Sequence, residues 1–438
     1  MCDVVVIDGV RLEARSGTTT AAALDQGRES VVDLAALATG SAGRSFAPSG
    51  MVRRQVSRAG HTTRARVLAL TVHPVSAAAT RFRVAELAPL LAREGIDLHL
   101  APSLDEAAYR GLYGESPLWR KGLSAVVGAL RQWRAALTSA RWDAVLVQRE
   151  AMLVGPPVLE LLLAEVARLP MVFDFDDAIW IGKADASQHP LAARWLKAPW
   201  KTDVLLRRAA HVVAGAPALA EHARPLNDRV TVIPTVVSRA SWTLGPQLER
   251  RGPPVVGWVG SHSTAAYLDL ALPSLARLRA EGLEFRVRLV GAPADLRTPL
   301  DVEIVPWSLE REVEAFHDLD VGLGPVVDDA WGRGKCAFKQ VQYFATGSAC
   351  VTSPVGPARA FAERGAALAA RTPEGWTRAL RTLLLEPDTR AALRARARRL
   401  VEEELCSEVQ GPRLAGVLRG VIEGARRADP ARSPRCVG

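Results

Sequence analysis

The stretch Arg333-Gly-Lys-Cys-Ala-Phe-Lys-Gln-Val-Gln-Tyr-Phe-Ala-Thr-Gly-Ser-Ala-Cys-Val-Thr-Ser-Pro-Val-Gly356 carries two lysines, Lys335 and Lys339, four residues apart. It reads as a glycine break, a short helix, a turn at Gly347 and a buried strand. That spacing puts both ammonium groups on one face near the helix start. Cations beside unbonded helix N–H groups suit a phosphate, and Arg333 is a further candidate contact. A second stretch, Gly257-Trp-Val-Gly-Ser-His-Ser-Thr264, reads as a strand entering a glycine turn and a helix start. Gly260, Ser261, His262 and Ser263 there are candidate anion ligands. The turn matches neither the dinucleotide fingerprint nor a Walker A loop.

Two more clusters lie where strands should end. Phe173-Asp-Phe-Asp-Asp-Ala-Ile-Trp180 places Asp174, Asp176 and Asp177 at the carboxyl end of a strand, the ligand-binding edge of open α/β sheets. Clustered carboxylates bind a metal, act as a base or accept from a hydroxyl. His73, Arg81 and Arg83 follow another strand and are candidates for acceptor or phosphate contacts. Each cluster has a plain alternative: solvated lysines, a structural turn, helix capping, ordinary loop arginines.

The elements that must position these residues alternate. Short apolar runs at 66–72, 96–100, 144–148, 171–175, 211–214 and 230–233 are separated by helical periodicity, including one helix at 81–94. This argues for a parallel sheet covered on both faces. A Pro/Gly/Arg-rich segment at 243–254 interrupts the pattern. It then restarts with strands at 255–260, 285–290, 302–305, 320–325 and 349–353. The fold class expected is therefore α/β, with two Rossmann-like doubly wound domains facing a central cleft. The expected boundaries are 63–245 and 253–405, then a C-terminal helix at 406–427 packing back on the first domain, and a disordered tail at 428–438. Residues 1–62 read as a disordered extension with one hairpin signal, Val4–Ile7 followed by Asp8-Gly9, and with Met51 as an alternative start.

The chain has 438 residues, 48% apolar and 24% charged, with a net charge of +9 that favours anionic partners. Nucleic acid is not expected as a partner, because no recognisable binding motif accompanies the charge. The five cysteines lack metal-ligand spacing, so neither a metal nor a disulfide framework is expected and a reducing cytoplasm is. The N-terminus does not read as a secretory signal, and no window reads as a membrane span. The segment from Trp119 to Arg134 reads as a basic amphipathic helix, with an apolar stripe of Leu123, Val126, Val127, Leu130 and Trp133. Packing of that stripe on the domain is the expected use. Peripheral contact with an anionic membrane, on the inner face of the cell membrane, is the alternative.

Taken together, residues 64–425 resemble glycosyltransferase family 4, which has the two-domain GT-B architecture. The most specific matches are Gly334–Gly356, Val232-Ile-Pro-Thr235 and Phe173–Trp180. The resemblance implies retaining transfer of a sugar from a nucleotide-diphosphate donor to a glycan, lipid-linked or other hydroxyl acceptor, in envelope or exopolysaccharide biosynthesis. It implies no cofactor and no obligatory metal. The donor then sits on the second domain, with Lys335 and Lys339 on its diphosphate. The family's E-x7-E pair falls here at Gly334 and Gln342, so both glutamates are missing, and Gln342 retains an amide oxygen for the ribose hydroxyls. The usual Arg and Lys after the first strand of the donor domain are replaced by Ser261-His-Ser263. The rival readings are a non-catalytic nucleotide-sugar-binding protein and a nucleotide-sugar epimerase on the same fold.

Overall fold

The computed structural model describes the strands Asp3–Ile7 and Val10–Ala14 and residues 64–113, 117–151, 154–181, 198–245 and 252–429. The first two strands, β1 (Asp3–Ile7) and β2 (Val10–Ala14), pair antiparallel with Ile7 opposite Val10, the hairpin register that Asp8-Gly9 signals. The rest of the 1–62 extension, residues 246–251 of the interdomain linker and residues 430–438 lie outside the described residues.

The body of the chain holds two six-stranded parallel sheets. The first is built from β3 (Ala65–Thr71), β4 (Ile96–Pro102), β5 (Ala144–Gln148), β6 (Met171–Phe175), β7 (His211–Ala214) and β8 (Val230–Val232). Its order is β4-β3-β5-β6-β7-β8. The second contains β9 (Val255–Val259), β10 (Arg286–Val290), β11 (Glu303–Val305), β12 (Val321–Gly324), β13 (Ala349–Thr352) and β14 (Leu368–Ala369), ordered β11-β10-β9-β12-β13-β14. The strands β5, β6, β9, β12 and β13 are buried at every position. That is why they appear in the sequence as continuous apolar runs rather than alternating ones. The strand β14 has two residues, too short to leave a periodic signal, and was not expected.

In both sheets the chain reverses direction beside the first strand, between β3 and β5 and between β9 and β12. These are the switch points where ligands bind at the carboxyl edge. The expected helix at 81–94 is in fact three pieces: Ala78–Arg83, a 3-10 turn Ala85–Leu87, and Ala88–Arg93. Pro89 has no N–H to continue the ladder, so the helix restarts around it.

The helix Ser407–Ala428 packs Leu414, Ala415, Leu418 and Ile422 against Val67, Ala69 and Leu91 of the first sheet's layer. Gly411 permits this approach, since a Cβ there would lie 2.9 Å from Leu90. Arg426 Nη2 donates to Asp143 at 2.6 Å and Arg419 to Glu94 at 2.9 Å, closing the same contact. A further apolar cluster joins Phe82 of the first domain to Trp242 and to Val341, Tyr343 and Phe344 of the second.

Candidate functional site

The second sheet's carboxyl edge assembles around β9. Gly260 follows it, and its N–H donates to Val290 O at 3.0 Å. A Cβ at Gly260 would lie 2.5 Å from Lys339 Nζ and 2.1 Å from the Trp258 ring, so the glycine leaves room for the ammonium. Lys339 Nζ sits 4.2 Å from the centroid of the buried Trp258 ring and donates to Thr264 Oγ1 at 3.3 Å. The aromatic face stabilises the cation, and the hydroxyl orients it. Burial, and after it the charge of Lys335, push the Lys339 ammonium down to about 7. Ser261 Oγ lies 3.0 Å from Ser263 Oγ, and the Ser261 N–H donates to Thr264 Oγ1 at 3.4 Å. His262 is exposed at the head of the short helix His262–Ala265.

The signature helix spans Phe338–Thr346 and ends at Gly347 with φ 85°. Lys335 therefore precedes the helix, contrary to the expectation that both lysines ride on it. The residue directly before the helix, Ala337, has φ 52°, a left-handed conformation that ends the loop abruptly. Lys335 Nζ lies 5.5 Å from the Trp331 ring centroid. Gln342 shares the Lys339 face at i+3 and is 5% exposed. Arg333 is on the surface and pairs with Asp328 at 2.7 Å.

The first sheet's carboxyl edge has a different character. Arg83, 4% exposed, grips Asp174 with two donors, Nε at 3.1 Å and Nη2, and donates to Ile233 O at 2.6 Å. Burial opposes the Arg83 charge, but the Asp174 carboxylate outweighs it and its pKa rises. Arg81 reaches Glu312 of the second domain at 2.6 Å. Arg81 and Arg83 thus do not stand open to an acceptor, as the sequence suggested; both are spent on buried carboxylates. Asp174 likewise is closed off as a base.

Arg149, which the sequence reading overlooked, organises the other two acids. Its Nε donates to Asp176 at 2.5 Å and its Nη2 to Asp177 at 2.8 Å. Burial alone would raise the Asp176 pKa, but the Arg149 guanidinium more than offsets it and the net shift is downward. Arg149 holds φ 63°, costly for a non-glycine residue, directly after β5 at the switch point. That strand-end position was the signal available in the sequence. His73 lies close enough to feel both charges: burial, then Arg149, push its pKa down to about 4 against the pull of Asp176, so the ring is neutral at pH 7. Among the described residues no group of three His, Cys, Asp or Glu side chains suits a metal ion.

The two edges touch. Cys336 Sγ donates to Asp176 O at 2.9 Å. A Cβ at Gly334 would lie 2.6 Å from Ala178 Cβ, and one at Gly215 would lie 2.6 Å from Cys336 Sγ. Gly334, one of the two positions where the E-x7-E pair falls, thus has no space for a side chain in this arrangement.

No protein-family model and no curated protein sequence matches the chain. Its fold does match solved structures. Sucrose-phosphate synthase from Thermosynechococcus elongatus superposes with a TM-score of 0.60 at 13% identity, over 82% of this chain and 100% of that one. A glycosyltransferase from Rickettsia africae gives 0.57 at 13% identity, over 82% and 99%. Anabaena HepE, solved with UDP and glucose, gives 0.54 at 13% identity, over 81% and 99%. The fold is GT-B: two Rossmann-like α/β domains, as the alternation of elements implied.

Proposed function

We propose that this protein is a glycosyltransferase of the family 4 kind, moving a sugar with retention from a nucleoside-diphosphate donor to a hydroxyl acceptor on a glycan or lipid carrier. The observation that carries the proposal is the Lys339 arrangement: an ammonium held by Trp258 and Thr264 against the Gly260 turn, at the second sheet's switch point. Neither Lys335 nor Lys339 has a carboxylate partner among the described residues, so the positive charge awaits an anionic ligand. HepE, on the same fold, was solved with UDP-glucose, at 14% identity and a TM-score of 0.53.

As the sugar C1–O bond to the diphosphate breaks, negative charge grows on the leaving phosphate oxygen. Lys339 and Lys335, with the His262 and Ser263 N–H groups, stabilise that charge more in the transition state than in the ground state. The acceptor oxygen bonds to C1 on the face the leaving group vacates, and its proton passes to the departing phosphate. No separate base is needed. Gln342 accepts from the ribose through its amide oxygen. Asp176, Asp177 and neutral His73 line the acceptor side, with Arg149 setting the carboxylates' orientation. The cytoplasm, where nucleotide sugars are made, is the proposed location.

A screen of nucleotide sugars and nucleoside diphosphates for thermal stabilisation tests the binding step, since a donor must raise the melting temperature. Incubating the stabilising donor with and without acceptor extracts then separates transfer from epimerisation and from mere binding. If no nucleotide sugar or diphosphate stabilises the protein, the proposal fails.

A further inference from the structure

The helix Leu118–Ala136 is mounted inside out. Its face toward the sheet is lined by Gly128, Gln132 and Ala136, all buried. Gln132 Nε2 donates to Thr71 O at 2.9 Å and to Ala101 O at 3.2 Å, and a Cβ at Gly128 would lie 2.1 Å from Ser103 O. The apolar stripe points the other way, with Trp119 and Leu130 each 65% exposed, Val126 57%, Leu123 56% and Val127 45%. Leu137, just past the helix end, is 81% exposed on the same line. Only Trp133 of the expected stripe is partly covered. The expectation that this stripe packs on the domain is therefore corrected. A monomeric protein has little reason to expose such a run unless something apolar covers it.

Charge identifies the cover. The helix has no acidic residue along its 19 positions. At 100° per residue, Arg134, Arg120 and Arg131 flank the stripe on one side. Of these, Arg131 pairs with Asp105 at 3.0 Å, and Arg120 lies 5.2 Å from the Trp119 ring centroid. The nearby Glu106 is engaged by Ser76 Oγ at 2.6 Å. A cationic border on an aliphatic and tryptophan stripe complements anionic headgroups above acyl chains. A second line of exposed residues at four-residue spacing, Val154, Val158, Leu162 and Val166, belongs to the next crossover on the same layer of the first sheet. No helix among the described residues is long and apolar enough to cross a membrane, so the contact is interfacial.

We propose that this face of the first domain lies on the surface of an anionic phospholipid bilayer. The Gln132 bonds fix the helix to the carboxyl ends of β3 and β4, the rim that also carries His73. A bilayer on this face therefore lies beside the acceptor-side residues. The surface stands independently of the transfer reaction, because binding is read without donor or acceptor.

The full chain is sedimented with vesicles of equal phosphatidylglycerol and phosphatidylcholine, and with phosphatidylcholine alone. Wild type is expected to pellet with the anionic vesicles, weakly with the neutral ones, and less as salt is raised. Leu123→Glu/Leu130→Glu should lower partitioning about tenfold or more, with an unchanged melting temperature because both sites are exposed. Arg120→Gln/Arg134→Gln should weaken binding to anionic vesicles alone, which keeps the test valid if the glutamate variant misfolds. Wild type remaining in the supernatant with anionic vesicles, or both variants pelleting like wild type, would overturn the proposal. A wild-type dimer that Leu123→Glu/Leu130→Glu converts to monomer would overturn it too, assigning the face to a second copy.

Discussion

The carboxyl edges of the two sheets occupy equivalent places in two similar domains, yet they handle charge in opposite ways. At the first edge every carboxylate the sequence marked is matched: Asp174 by Arg83, and Asp176 and Asp177 by Arg149. At the second, two lysines meet aromatic rings and a hydroxyl, with no acid facing them among the described residues. The first edge leaves none of its carboxylates without a guanidinium and can be rigid without a ligand. The second keeps uncompensated charge, which an incoming anion neutralises. Burying a charge is costly unless it is paired, so retaining Lys339 in this state points to a ligand rather than to stability.

The largest effect should come from breaking the first edge. Arg83→Met leaves Asp174 buried without its partner and should cost about 3–5 kcal/mol of stability, read by denaturant unfolding. Nucleotide binding by the surviving folded protein should change little. If the variant is as stable as wild type, the pair is not the structural clamp described. Breaking the second edge should do the converse. Lys339→Met removes a preorganised cation from the leaving group and should reduce turnover by about 10²–10³. Its stability should hold or rise, because a partly buried unpaired ammonium is removed. Near-normal turnover would take Lys339 out of the mechanism, and the same variant unfolding would show that the edges are alike after all.

Acid and base should also separate the edges. The apo Lys339 value of about 7 lies below its ordinary 10.5, so between those limits the unfolded chain binds the extra proton. Stability from this group therefore rises with pH across that window and is lost as pH falls toward 7. Donor binding runs the other way. A diphosphate favours the ammonium, so affinity should be greatest below about 7 and fall by up to about tenfold per pH unit above it. Calorimetry in buffers of different ionisation enthalpy should detect proton uptake on donor binding at pH 8; none would mean Lys339 does not meet the phosphates. The first edge responds at the acid end. Asp176 is held down by Arg149 and contributes stability above its unfolded range, lost as pH falls through its folded value. His73, lowered from 6.5 to about 4, adds stability that is lost as pH falls from 6.5 toward 4.

The parallel sheets were legible because strands buried on both faces appear as unbroken apolar runs, and so were the Gly260 and Gly347 turns, where the backbone needs a residue without Cβ. The lysines were legible as a pair, though not their placement, since the left-handed Ala337 that moves Lys335 off the helix has no composition signal. The partners of the acids were hidden for another reason. Arg83 lies 91 residues from Asp174, and Arg149 27 from Asp176, so only the sheet order brings them together. The mounting of the Leu118–Ala136 helix was not legible, because amphipathic periodicity shows that a stripe exists but not which side faces the core. That was decided by Gly128 and Gln132, small and polar residues that periodicity counts as the outer face.

Each edge also stores one strained residue beside its charges, Arg149 at φ 63° and Ala337 at φ 52°. At Arg149 the side chain is indispensable to the clamp. At Ala337 the side chain is a methyl, so the strain can be tested by itself. Ala337→Gly relieves about 1–2 kcal/mol of left-handed strain but adds about 0.4–1 kcal/mol of unfolded-state entropy and loses a half-buried methyl. The terms nearly cancel, and stability should shift by less than about 1 kcal/mol. The loop carrying Lys335 should nevertheless loosen, and donor affinity should fall severalfold because the lysines are less preorganised. Titration of the donor alongside thermal unfolding reads both quantities. A loss above about 2 kcal/mol would mean that the methyl's packing, not the backbone, sets this position. Unchanged affinity would mean that the second edge is as rigid as the first without its strained hinge.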